Sequence, residues 1–131
     1  MIKSIKLKTH IDSLFQVEKL VEEIKNEGII TDDSYGNVMV CVSEAVNNSI
    51  FHGNKEDASK SIYLSVEYDK DKLIFDVKDE GEGFDFEHIP DPTLPENIEK
   101  LNGRGVFLIK SLADEVEFLN KGTEIKFSIK I

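Results

Sequence analysis

The sequence has no tryptophan, one cysteine and three prolines, and its 16 basic residues are outnumbered by 26 acidic ones, for a net charge of -10. Each shortage excludes something. A lone Cys41 cannot close an internal disulfide and, without partner cysteines, does not make a zinc site; it is expected to be a small buried helix residue. The acidic balance argues against a general nucleic-acid binder, which needs a basic face for phosphates. A polyanionic ligand here would need a metal ion and backbone amides to neutralise it. No apolar run is long enough to cross a bilayer, and no basic region followed by an apolar core and a small-residue cleavage site opens the chain. A cytoplasmic protein without membrane association is expected. No Gly-x-x-x-x-Gly-Lys-Ser/Thr pattern occurs, and no parallel βαβ unit surrounds the glycines at 81, 83, 103 and 105. The Walker loop and the dinucleotide fingerprint are thereby excluded.

What is present suffices for one domain over residues 1–131, with 40% hydrophobic residues to fill a core. Residues 4–8 alternate like a strand. Ile11, Leu14, Phe15, Val17, Leu20, Val21 and Ile24 recur at helical spacing, with Asp12 or Ser13 as candidate cap and Gly28 past the end. Thr31, Asp32, Asp33 and Ser34 supply a second helix start, and Gly53 its stop. Residues 54–60 read as a polar loop. Ile62, Leu64, Val66 and Tyr68, then Leu73, Phe75 and Val77, alternate as an antiparallel hairpin with one face on a core. Residues 85–102 lose periodicity and hold all three prolines and His88; such a segment reads as a lid, expected to be mobile. A short helix opening at Gly103-Arg104-Gly105 and a second hairpin, 115–119 and 123–131, complete the chain. Strands joined as hairpins and helices with one apolar face predict an α+β fold, a two-layer sandwich whose mostly antiparallel sheet is covered on one face by helices.

Three stretches carry candidate chemistry. In residues 38–53, Glu44 and Asn48 lie four apart among Val38, Met39, Val42, Ala45 and Val46, so they share a helix face about one turn apart. A carboxylate above a carboxamide can position a water or hydroxyl beside a metal ion; the plainer alternative is the solvent face of a core helix. Asp79, at a strand end before Gly81 and Gly83, can accept a hydrogen bond from an exocyclic amine while the glycines admit a flat ring, or it can begin an ordinary turn. Gly103-Arg104-Gly105 at a helix start offers amides and a dipole to an anion, or a simple cap.

Glu44-Ala-Val-Asn-Asn48 with His52-Gly53, then Asp79-Glu-Gly-Glu-Gly83, Gly103-Arg-Gly105 and Gly122-Thr123, in this order, resemble the four boxes of the GHKL ATP-binding superfamily. The form Ser-Glu-Ala-Val-Asn-Asn-x-x-x-His-Gly is most similar to its anti-sigma factor serine-protein kinase branch, the RsbW and SpoIIAB type. The resemblance covers about residues 9–131 and implies the Bergerat fold. It implies that Asn48 coordinates Mg²⁺ on the ATP phosphates and that Glu44 is the general base. Asp79 would read adenine with Gly81 and Gly83 shaping its pocket, Gly103, Arg104 and Gly105 would close on the phosphates, and Thr123 would support the adenine side. Asn47 is expected to be structural, and His52 a capping or core residue or a supporting neighbour of the site. The implied partners are a sigma factor or comparable target, and a small anti-sigma factor antagonist whose serine is phosphorylated; this branch's habits and the open sheet face suggest a homodimer. One departure stands out. Related kinases often carry an arginine before the second glycine pair, where this chain reads Glu99-Lys100-Leu101-Asn102. Lys100 or Arg104 would then supply that contact, and a non-catalytic ATP-gated binding module is the alternative. A stand-alone histidine-kinase catalytic domain fits less well, because His10 lies too near the chain's start to belong to a phosphoacceptor helix pair.

Overall fold

The structure, a computed structural model, describes residues 2–83 and 101–131. Strand β1 (Ile2–Lys8) leads into helices α1 (Ser13–Asn26) and α2 (Asp32–Asn48), the latter continued by a π-helical turn, Ser49–Gly53. Strands β2 (Ser61–Asp69) and β3 (Lys72–Lys78) follow, then helix α3 (Leu101–Leu112), β4 (Glu115–Leu119) and β5 (Glu124–Lys130). Among the described residues the strands form one antiparallel sheet in the order β1-β2-β3-β5-β4. This is the expected two-layer α+β sandwich.

Period-two alternation turns Leu7, Ile62, Leu64, Val66, Leu73, Phe75, Val77, Ile125, Phe127 and Ile129 to one face, where all are buried. Against them pack Val17, Leu20, Val21 and Ile24 of α1 and Val38, Cys41, Val42, Ala45 and Val46 of α2. Each large side chain so buried contributes about 1.5–3 kcal/mol of transfer free energy. Phe75 and Phe127 are register partners across β3 and β5, and their rings stack at 5.3 Å between centroids. Cys41 is buried as expected, and burial pushes its thiol up to about 11, so it packs as a small hydrophobe. Tyr68, expected on the core face, is 40% exposed at the hairpin end of β2, one residue past the Ile2–Glu67 pairing with β1.

The helix ends show which local signals act. Thr31 caps α2, its Oγ1 accepting the Ser34 N–H at 3.3 Å, with Asp32 and Asp33 at the positive end of the dipole. Past α1, Gly28 takes φ +79°, its N–H donating to Lys25 O and that of Ile29 to Ile24 O, a paired closure that needs a left-handed residue. Neither candidate cap of α1 acts as one. Asp12 is itself helical and its carboxylate faces His10, while the Ser13 hydroxyl donates to Lys8 O at 2.7 Å.

Two boundaries differ from the sequence reading. Gly53 is a stop, but α2 reaches it through the π turn, whose close is Asn54 N–H donating to Ser49 O at 2.7 Å. Helix α3 begins at Leu101, so Gly103, Arg104 and Gly105 lie within its first turns, because glycine there is tolerated once α3 packs on α2. The remainder of the expected lid, 85–100, lies outside the described residues.

Candidate functional site

Helix α2 and the π turn bring Glu44, Asn47, Asn48, Phe51 and His52 together with Gly105 of α3 around a cavity of about 350 Å³. The apolar stripe of α2 faces the sheet, so the opposite faces of the same turns are left to line this space. Glu44 and Asn48 thus share the face their spacing predicts. Asn48 Oδ1 is buried and, among the described residues, accepts no hydrogen bond. A buried amide oxygen without a donor costs about 1–3 kcal/mol, so a ligand is the natural explanation for one kept there. Its chemistry is that of a neutral hard oxygen, which suits Mg²⁺. Among the described residues no cluster of three or more His, Cys, Asp or Glu could hold a metal. Partial burial lowers the pKa of His52, which favours the neutral imidazole beside the cavity. Gly105 adjoins Glu44: a Cβ there would lie 3.0 Å from Glu44 Oε2, the end of a flexible side chain.

Behind His52 lies a second, tighter corner. Asp79, 7% exposed at the exit of β3, donates its N–H to Thr123 O at 2.9 Å and accepts the Gly81 N–H on Oδ1 at 2.8 Å. Burial raises its pKa, opposed by the Gly81 amide and by Lys60. A Cβ on Gly53 would stand 2.2 Å from Asp79 Oδ2, and one on Gly81 2.0 Å from Gly53 O. Gly83, at φ +89°, likewise leaves no room for a Cβ beside Lys121 O. Main chain therefore meets main chain at Gly81 against Gly53 and at Gly83 against Lys121, and the Asp79 carboxylate lies directly against Gly53.

The residues singled out from sequence fall into two adjoining groups. Glu44, Asn48 and Gly105 line the cavity, as do Asn47 and His52, while Asp79, Gly81, Gly83 and Thr123 build the corner. Thr123 serves through its carbonyl; its hydroxyl donates to Asn120 O at 2.9 Å. Gly103 lies in α3, and Arg104, also in its first turns, is exposed. His10 sits exposed before α1, paired with Asp12. Three contributors were missed. Gly53 was read as a helix stop and as part of the first motif, but not as a neighbour of Asp79, which is what its missing side chain permits; Phe51 was not singled out. Asn54, 1% exposed, was assigned to a polar loop on composition. No local signal separates a buried asparagine from an exposed one.

Residues 8–129 match the family model described as histidine kinase-like ATPase domain. A serine-protein kinase RsbW of Oceanobacillus iheyensis is 35% identical over 95 residues, 68% of this chain and 60% of that protein. The serine-protein kinase RsbW of Staphylococcus aureus is 38% identical over 95 residues, 66% of this chain and 58% of the relative. The matched part thus spans about three fifths of these relatives. Among solved structures, the RsbU and RsbW domains of a Mycobacterium tuberculosis protein superpose with a TM-score of 0.68 at 16% identity, over 98% of this chain and 31% of that one. That likeness establishes the shared fold.

Proposed function

The chain belongs to the histidine kinase-like ATPase domain family, and from that premise we propose that it is an ATP- and Mg²⁺-dependent serine/threonine protein kinase. In this reading it is an anti-sigma regulatory factor that phosphorylates a serine of a small antagonist protein in a partner-switching system. The observation that carries the reading is the cavity in which the unpaired Asn48 Oδ1 and the Glu44 carboxylate stand on one helix face. The relatives' name, serine-protein kinase, supports the reaction class.

Asn48 holds Mg²⁺ through Oδ1; when bound, the ion neutralises phosphate charge that this acidic chain cannot. Asp79 accepts the exocyclic amine of adenine on the oxygen not engaged by Gly81, and Gly81 and Gly83 keep the corner closed behind it. The first turn of α3, which includes Gly103 and Arg104, supplies amides and a cation on the phosphate side, and Gly105 keeps the approach free of a side chain. Glu44 takes the proton of the attacking serine hydroxyl, a role that requires an ionised carboxylate within hydrogen-bond reach. Phosphate on the antagonist then adds charge to its interface with the kinase and separates the two, freeing the kinase to hold a sigma factor.

Incubation with Mg-ATP and the cognate antagonist should place phosphate on a serine. Glu44→Ala should slow transfer by about 10²–10⁴-fold while ATP affinity is retained. Unchanged transfer in that variant would remove Glu44 from the chemistry. Tight ATP binding by the native chain with no transfer to any antagonist would instead favour a non-catalytic ATP-gated binding module.

A further inference from the structure

We infer that Asn54, acting with Thr9, is a positioning residue that aims the Asp79 carboxylate and so sets which nucleobase the site accepts; the inference rests on the nucleotide reading above. Asn54 follows the glycine that abuts Asp79, and its carboxamide is the meeting point of four chain segments. Oδ1 accepts the Glu80 N–H at 2.8 Å, and Nδ2 donates to Thr9 Oγ1 at 2.9 Å and to Ser61 O at 3.0 Å. Thr9, 3% exposed just past β1, donates its hydroxyl to Lys60 O at 2.6 Å. Glu80 closes the set, its carboxylate accepting the Ser61 N–H.

The orientation of the carboxamide is determined by these partners. Reversed, it would set its oxygen against Ser61 O and its NH₂ against the Glu80 N–H, so neither contact would survive. Every polar atom of this buried side chain is engaged, which is the condition under which such a network rigidifies its surroundings.

The consequence falls on Asp79. The peptide after it is held through the Glu80 N–H by Asn54, and its own N–H is held by Thr123 O. Residue 79 is therefore clamped on both sides, and its carboxylate is directed into the space that Gly53 leaves open. Asn54 touches no ligand in this scheme. It acts through Asp79, and only a carboxamide offers one acceptor and two donors at that reach. An aspartate of the same shape would lose both donors and face Ser61 O with charge.

The test is calorimetric titration of Mg-ATP and Mg-GTP into the native chain, Asn54→Asp and Thr9→Val. GTP keeps the ribose and triphosphate but presents a carbonyl where adenine carries its amine, so a well-aimed carboxylate favours ATP. In Asn54→Asp, ATP affinity should fall about tenfold with GTP affinity unchanged, so that discrimination shrinks by the same factor. Thr9→Val, which preserves volume, should move discrimination the same way by roughly three- to fivefold, and it decides the matter if Asn54→Asp does not fold. Equal losses for both nucleotides would mark Asn54 as general scaffolding and overturn the inference. So would unchanged discrimination in folded variants, or a native chain that binds ATP and GTP alike. A native chain that binds neither would remove the nucleotide reading itself, and the inference with it.

Discussion

The core beneath the sheet and the corner behind Asp79 are both closely packed, yet they are filled by opposite means. In the core, Phe75, Phe127, Leu64 and Ile62 occupy space with side chains, and their close-packed neighbours relax only partly into the cavity that a smaller one leaves. In the corner, Gly53, Gly81 and Gly83 let main chain approach closely, and the remaining volume is taken by the Asp79 and Asn54 side chains, which accept the Gly81 and Glu80 N–H groups. Removing atoms is therefore the damaging change in the first region. Adding them is the damaging change in the second.

Phe75→Ala should have the largest effect on stability, about 3–5 kcal/mol in denaturant unfolding, since it empties half of a stacked pair at the centre of the sheet. A loss below about 1 kcal/mol would mean that the core can collapse and that the contrast is false. Gly81→Ala adds a single methyl group, yet should cost roughly 3 kcal/mol, because its Cβ would meet the Gly53 carbonyl at 2.0 Å and backbone must part. Measured nucleotide affinity should fall with it, and an alanine that leaves both stability and affinity intact would dissolve the idea of a corner that has no room. The smallest effect is expected on the solvent face of the sheet, which serves as the control. There, burial and the neighbouring Glu124 raise the pKa of Asp76 to about 7, against Lys126 and Lys78. The folded state thus binds more protons than the unfolded state between roughly pH 4 and 7, and stability falls as pH rises through that window. Asp76→Asn should raise the melting temperature at pH 8 by a few degrees, corresponding to on the order of 1 kcal/mol after solvent screening, and should change nothing at pH 4. A gain that is the same at both pH values would assign the effect to something other than ionisation.

Much of the fold was legible because its signals are local and periodic. The alternation at Leu73, Phe75 and Val77, the helical recurrence at Val38, Val42, Ala45 and Val46, and the caps at Thr31 and Gly28 each declare an element from its own few residues. The shared face of Glu44 and Asn48 was legible for the same reason. The α1 start was less so: Asp12 and Ser13 are both good capping types, and their actual partners, His10 and Lys8 O, come from the preceding turn.

The sequence by itself determined most of the elements, the core faces of β2 and β3, and the order of the Glu44, Asp79 and Gly103 stretches. Only the tertiary structure decided that Gly53 and Gly81 touch, that Thr123 contributes a carbonyl and not a hydroxyl, and that Asn54 belongs to the Asp79 corner. The reason is range. Side-chain periodicity is fixed within one turn or one pleat of chain, whereas a glycine demanded by another glycine 28 residues away, or a buried carboxamide joining four segments, exists only after the sheet and helices have packed.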